Sequence, residues 1–562
     1  ETKRDDEFNA TITHSSASKI PATDFRLVFD TSSEKIGVSL LSYWPKGEDA
    51  GYFIMLASPE LKPAEGEPLK KQVIFVVDQS GSMSGQKIQQ ARDAAKFVLN
   101  NLRENDLFNL IRYDSEVNLM SPELQRFNSE TRQTAIGFIN SINAGGMTNI
   151  DGALKAAMAM VQTDQLPTYL VFLTDGLPTV GETNELKIAQ ACKAANQHGA
   201  RLINFGVGYD VNSRLLDRLA RENNGQSEYV RPDEDLEASV ARLYSKIAAP
   251  VLSKIQMQFD FDSLSASDGK PVDRMYPSTV SDMFAGGQIV IVGRYRKSGP
   301  VSLGISGVVN GMEEKYRFDG KLAEPSDAHD MKYVAQLWAS RRIGEIIDLI
   351  DLNGKNSELI DELVALSKRW GILTPYTAYL ADDQADSRIL ANRETLNSLS
   401  SGELEKLGES EGRLAFDNRL NKQLFKGSDL ATPQANLDLR FSQGAENYSV
   451  RPGRRVRGGG GRFGGVAGGV PSDDFSGNPP TTEGMRQVGS VTVYVRGKTL
   501  IADNAVDVEL ENNSSIVDIQ RFSDKYFELV RDNSSEDNLI LSQQQEGETL
   551  VVKFRGTTYR IN

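Results

Sequence analysis

The sequence predicts an α/β fold joined to an all-β part: a doubly wound α/β domain inserted in, or flanked by, a β-sandwich, then a helical segment and a small C-terminal α+β module. Three observations carry this. Between residues 71 and 249, apolar strands alternate with amphipathic helices in units of the length a parallel sheet needs. On both sides of that stretch apolar residues recur at every second position, as in Ile36, Val38 and Leu40 and again in Ile255, Met257 and Phe259. From His329 the period lengthens to that of a helix, with Val334, Leu337, Trp338, Ile343, Ile346, Ile347 and Ile350 on one face.

Taken in order, residues 1–20 form a polar leader, and 21–61 carry β-strands marked by Phe25, Leu27 and Phe29, by Ile36 to Leu40, and by Phe53, Met55 and Ala57. A Pro- and charge-rich linker leads into the α/β domain, 71–249. There the pattern predicts strands at 73–77, 107–113, 117–120, 169–173, 201–207 and 227–230, and helices at 84–102, 130–142, 185–197, 213–222 and 234–248, with another from Ile150. Residues 250–325 continue the β-sandwich, and strands on both sides of a compact insert suit an insertion, because the ends of such an insert lie close together. Helices follow within 326–380. Residues 381–450 read as polar, partly helical and weakly packed. A Gly/Arg-rich linker spans 451–485, with nine glycines and five arginines between 451 and 470. Residues 486–562 form the end module, with strands at 489–496, 499–501 and 506–510, a helix at 523–531 and a terminal hairpin at 549–561.

The chain has 562 residues, 39% hydrophobic and 25% charged, which suits several globular domains. Its net charge of −14 argues against nucleic-acid or anionic-membrane partners, and it makes the Arg/Gly tract a flexible linker rather than an RNA-binding segment. The single cysteine, Cys192, excludes an intrachain disulfide framework and reads as a small buried side chain. A start at Glu1 indicates a processed chain or a fragment. No membrane-inserting segment is visible, and the oligomeric state is not encoded in any pattern.

Chemistry concentrates at the end of the first α/β strand. Val73 to Val77 are apolar and mostly β-branched or aromatic, and they stop abruptly at Asp78-Gln79-Ser80-Gly81-Ser82. One carboxylate and two hydroxyls on a tight loop are oxygen ligands of the kind a hard divalent cation takes. Gly145-Gly146-Met147-Thr148-Asn149 presents a further hydroxyl before the helix at Ile150, and the strand at 169–173 ends in Thr174-Asp175-Gly176. In parallel sheets, ligands sit outside the carboxyl ends of the strands, so three such loops are expected to meet. The simpler alternative is that Ser82 or Ser84 caps the helix beginning near Gly85.

Together, Asp78 to Ser82, Thr148 and Asp175 resemble the metal-ion-dependent adhesion site (MIDAS) of the von Willebrand factor type A domain. The resemblance implies that Ser80, Ser82 and Thr148 ligate a metal directly, while Asp78 and Asp175 hold its waters. It further implies an open metal position that captures an acidic side chain of a partner protein. Hydroxyl and water ligands favour Mg²⁺, with Ca²⁺ or Mn²⁺ as alternatives. The wider layout, with Leu337-Trp338-Ala339 and Gly371-Ile372-Leu373-Thr374-Pro375-Tyr376-Thr377, resembles the inter-α-trypsin inhibitor heavy chains and their bacterial relatives, with the C-terminal segment nearer the bacterial members. In those proteins a small β-rich domain, VIT, precedes the type A domain, and only its last portion fits here. A secreted, periplasmic or cell-surface protein follows from that resemblance, with an envelope scaffold whose type A domain merely packs with its neighbours as the alternative.

An enzyme is not expected. Ser80 stands where an aspartyl-phosphate hydrolase wants a second acid, and Gly81-Ser82-Met83-Ser84-Gly85 mimics a nucleophile elbow with an inert Met83 at its centre. There are only three histidines, and His198 reads as a helix-end cap.

Overall fold

The computed structural model describes residues 2–4, 10–12, 36–59, 70–163, 166–232, 234, 236–240, 250–261, 270–280, 282–284, 287–309, 312–326, 331–377, 380, 392–409, 412–427, 485–488, 491–506, 508, 510, 515–545 and 547–562. The expected leader, the strand at 25–29, most of the helix at 234–248 and the Gly/Arg linker fall largely or wholly outside them.

The α/β domain is built on the strand Gln72–Asp78, which is buried along its whole length. Alternate residues serve opposite layers. Val73, Phe75 and Val77 pack with Ile88, Ala91, Ala95, Val98 and Leu99 of the helix Gln86–Asn100 and with Ile139 of Ser129–Asn140. Ile74 and Val76 pack with Ile150, Ala153 and Leu154 of Ile150–Ala159, with Ile188 of Glu185–Ala195 and with Leu215 and Leu219 of Ser213–Glu222. Period two on a strand covered on both faces gives a continuous apolar run, which is why 73–77 carries no polar residue.

In sheet order the strands run Gln226–Val230, Arg201–Val207, Thr168–Thr174, Gln72–Asp78, Leu107–Tyr113 and Val117–Leu119, all parallel except the last, with Gln125–Arg126 pairing beside Leu107–Tyr113. The chain leaves Gln72–Asp78 toward Leu107–Tyr113 on one side and returns to Thr168–Thr174 on the other. That reversal opens a crevice at the carboxyl ends of the two central strands. Asp78 and Asp175 sit at its floor.

The β-sandwich takes strands from both sides of this domain. One sheet has the order Val272–Tyr276, Ile289–Tyr295, Gly51–Pro59, Ile36–Tyr43, and the other Met283–Phe284, Pro250–Asp260, Gly299–Val309, Met312–Leu322. Gly51–Pro59 pairs antiparallel with Ile289–Tyr295 from Ala57 opposite Ile289 to Gly51 opposite Tyr295, and the α/β domain lies in the chain between Gly51–Pro59 of this sheet and Pro250–Asp260 of the other. Phe53, Met55, Ile291, Leu303 and Ile305 fill the space between the sheets.

The outer face of the first sheet is covered as well. Tyr52, Ile54, Val290 and Val292 pack on Lys332–Asn353, where Trp338 lies 5.1 Å from the Tyr52 ring and donates its indole N–H to Arg274 O at 3.0 Å. The next helix, Ser357–Trp370, ends on Gly371 in the left-handed region, and a Cβ there would lie 2.1 Å from Thr492 Oγ1. Only glycine permits both that backbone and that approach of the C-terminal module. Among the described residues no helix is long and apolar enough to cross a membrane.

Several expectations are corrected. Residues 381–450 are expected to pack weakly, yet within them the helix Arg393–Glu403 buries Leu396, the 3-10 helix Leu404–Gly408 buries Leu404 and Leu407, and the helix Gly412–Gly427 buries Phe416 and Phe425. The described residues of 506–510 are not strand: Asp503–Ala505 is a 3-10 turn, Val508 N–H bonds to Ala505 O, and Val506 drops into the core shared with the helices. The strand Met312–Leu322 has a weak sequence signal because its inward Tyr316, Phe318 and Leu322 alternate with mostly charged outward residues. His198 is not a cap, since the helix Glu185–Ala195 ends on Asn196, whose Nδ2 donates to Ala200 O at 2.7 Å.

Candidate metal-binding site

Asp78 is the last residue of the central strand and is fully buried. Its Oδ1 accepts the Ser80 backbone N–H at 2.8 Å, which folds the loop back on itself. Its Oδ2 accepts the Thr174 hydroxyl at 2.6 Å and the Tyr113 hydroxyl at 3.3 Å. Burial pushes the Asp78 carboxyl up to about 6, and the hydrogen bonds from Thr174 and Ser80 oppose that rise. Burial likewise raises the Tyr113 phenol, with the Asp78 charge adding to it.

The loop then turns through Gly81–Met83 as a 3-10 helix, and Met83 anchors it in the core. Ser80 Oγ and Ser82 Oγ stand 3.1 Å apart, and the Ser82 hydroxyl donates to Asp175 Oδ1 at 2.7 Å. The following helix is capped by neither Ser82 nor Ser84: its N-cap is Gly85 with no side-chain bond, and the Ser84 hydroxyl reaches Gly81 O instead.

The second loop is tied to the first by backbone bonds. Gly81 N–H donates to Gly146 O at 3.1 Å and Gly145 N–H to Gln79 O at 2.8 Å. Gly146 has φ +76°, and a Cβ there would sit 3.0 Å from the Asp114 Cβ, so this turn requires glycine. Thr148 follows, held by its N–H to Thr179 Oγ1 at 2.8 Å and by Thr179 N–H to its carbonyl at 3.0 Å. Asn149, one residue on, caps the helix Ile150–Ala159 through Gly152 N–H.

The third loop completes the site at Asp175 and Gly176. A Cβ at Gly176 would lie in van der Waals contact with Ser82 Oγ at 3.4 Å and Thr148 Oγ1 at 3.7 Å, so both hydroxyls lie beside this glycine. All five expected residues, Asp78, Ser80, Ser82, Thr148 and Asp175, therefore converge. Asp78, Ser80, Thr148 and Asp175 are buried while Ser82 is exposed, giving the cluster a buried floor and one open side.

Residues 72–244 match the family model of the von Willebrand factor type A domain. This segment is a von Willebrand factor type A domain. Beyond it, the chain is similar to inter-alpha-trypsin inhibitor heavy chains: it is 29% identical over 372 residues to heavy chain 4 of Mus musculus, 63% of this chain and 38% of that one. It is 27% identical over 412 residues to heavy chain H4 of Homo sapiens, 69% of this chain and 42% of that one. The chain thus spans less than half the length of these relatives. Among solved structures, von Willebrand factor type A from Catenulispora acidiphila aligns with a TM-score of 0.44 and 13% identity, covering 69% of this chain and all of that one. Proximal thread matrix protein 1 from the mussel byssus, with a zinc-occupied MIDAS motif, aligns with a TM-score of 0.28 and 18% identity, covering 35% of this chain and 50% of that one.

The five converging side chains of the type A domain offer three hydroxyls and two carboxylates, all hard oxygen. Among the described residues no group of three His, Cys, Asp or Glu side chains is placed to hold a metal. Neighbouring ligands of an octahedral Mg²⁺ with bonds near 2.0–2.1 Å lie about 2.9 Å apart, and the Ser80–Ser82 separation of 3.1 Å suits such an edge. The residues present fit a small divalent ion.

Three side chains beside this domain's site carry no local signal of a role in it. Thr174 and Tyr113 orient Asp78, and Lys87 Nζ lies 2.6 Å from Asp175 Oδ2. Thr174 adjoins Asp175 in the sequence, whereas Tyr113 and Lys87 reach the site only through strand pairing and the direction of a helix.

Proposed function

We propose that this chain is a divalent-metal-dependent, non-enzymatic protein-binding module of the adhesion type. In this reading Ser80, Ser82 and Thr148 ligate Mg²⁺, Asp78 and Asp175 hold its waters, and a free position takes a carboxylate from a partner protein. The ion supplies a positive centre for that carboxylate. The residues do the rest: Thr174 and Tyr113 hold Asp78 in place, and the bonds between the Gly81 and Gly146 loops keep the hydroxyls together. The observation that supports this most is that hydroxyls from two loops and carboxylates from two strand ends meet at a cluster with an open side. Secretion, or a place in the periplasm or on the cell surface, suits such binding.

A structural scaffold is the second reading, favoured by how firmly the type A domain is fastened to its neighbours. The Arg201 guanidinium pairs with the buried Asp282 of the sandwich, which also accepts the Tyr169 hydroxyl at 3.0 Å and Lys254 N–H at 3.1 Å. Calorimetric titration with Mg²⁺, followed by pull-down with an acidic protein bait, separates the two. Adhesion predicts Mg²⁺ binding tighter than Ca²⁺ binding and capture that chelator abolishes. The scaffold predicts no sensitivity to chelator.

A further inference from the structure

We propose that Lys87 is a positioning residue that weakens the site's hold on its metal and thereby keeps charge on the bound ion for the partner; this rests on the adhesion reading above. Lys87 lies in the first turn of Gln86–Asn100, where no acidic residue offsets the helix's positive end and a cation is disfavoured. It is nevertheless built into the site. Its Nζ sits 2.6 Å from Asp175 Oδ2, and the side chain is 27% exposed against 0% for Asp175. Gly208, at φ +83° just past the strand Arg201–Val207, flanks it: a Cβ there would lie in van der Waals contact, 3.5 Å from Lys87 Nζ and 3.6 Å from Cε.

Both oxygens of Asp175 are thus engaged, Oδ2 by Lys87 and Oδ1 by the Ser82 hydroxyl, which itself touches Ser80. The ammonium acts on the metal ligands through this chain. Two carboxylates less one ammonium leave a single negative charge to face a divalent ion. The ion is then undercompensated, so it is held less tightly and attracts an incoming carboxylate more strongly. Removing Lys87 must move these two affinities in opposite directions, and damage to the fold would not.

The test is Mg²⁺ calorimetry on the full chain and its Lys87→Gln and Lys87→Arg variants, with acetate then titrated into the Mg²⁺-saturated proteins while thermal unfolding is followed. Lys87→Gln is expected to bind Mg²⁺ about tenfold more tightly and to need more acetate for the same rise in midpoint, while Lys87→Arg stays within about threefold of the parent. If Lys87→Gln unfolds without the ion, the Mg²⁺ concentration that restores its folded signal gives the same affinity. A parent that binds Mg²⁺ alongside a Lys87→Gln variant that binds it equally or more weakly overturns this inference and leaves the adhesion reading standing. A parent that binds no Mg²⁺ overturns both.

Discussion

Two clusters of acidic side chains in this molecule invite comparison. At the candidate metal site, Asp78 and Asp175 meet hydroxyls and a single lysine, beside an exposed Ser82. Where the type A domain meets the helical layer, Asp217, Asp348 and Asp351 surround Lys422 Nζ at 2.5, 2.9 and 2.9 Å. Arg419 adds a bond to Asp351 at 2.8 Å, Lys426 one to Asp348 at 2.8 Å, and Arg221 pairs with Asp348 and Glu345. The second cluster is balanced from within, and its central Lys422 is only 3% exposed. Carboxylates alone therefore say little about function. In the adhesion reading, what separates the candidate metal site from the structural cluster is how far the chain supplies the compensating cations itself.

The largest test of this contrast is Lys422→Met. It leaves three buried carboxylates short of their common partner, and breaking a buried pair on one side costs about 3–5 kcal/mol. Urea unfolding should report a loss of that order; a loss under 1 kcal/mol would mean that the cluster is open to water. Next comes metal. At a hundredfold excess over its dissociation constant, Mg²⁺ should stabilise the parent by about 2.7 kcal/mol, chelator should remove the gain, and Asp78→Ala, Ser80→Ala protein should show none. Equal thermal shifts in parent and variant would move the ion to another site.

Acid should act on the balanced cluster. Burial pushes the Asp348 carboxyl up, but Lys422, Lys426 and Arg221 outweigh it and hold the group below the usual carboxylate range. A depressed value contributes stability in full above the unfolded-state value of about 4 and loses it as pH falls further, at up to about 1.4 kcal/mol per pH unit for one carboxyl. In Lys422→Met the downward pull weakens, so the acid slope below that pH should flatten, and an unchanged slope would assign it to other carboxylates. The smallest effect is expected from Ser84→Ala. Since the Ser84 hydroxyl bonds Gly81 O and is not the N-cap of Gln86–Asn100, stability should change by less than about 0.5 kcal/mol, whereas loss of an N-cap would cost about 1.

The sequence by itself determined the α/β domain and the candidate site. A strand buried on both faces must be continuously apolar, and a polar loop at its end must lie where parallel strands deliver ligands, so Asp78, Ser80, Ser82, Thr148 and Asp175 could be read from local pattern and order. Met312–Leu322 was hidden because a half-exposed strand spreads its apolar signal among charges. The helix Gly412–Gly427 looked too polar to pack, since nothing local shows that the cations Arg419 and Lys422 find their carboxylates on two other helices. The insertion was only suggested by strands on both sides, and the sheet order decided it: Gly51–Pro59 before the α/β domain and Pro250–Asp260 after it lie in the two sheets of one sandwich. Lys87 belongs with these. A salt bridge across 88 residues depends on where a helix aims its first turn, and only the assembled chain decides that.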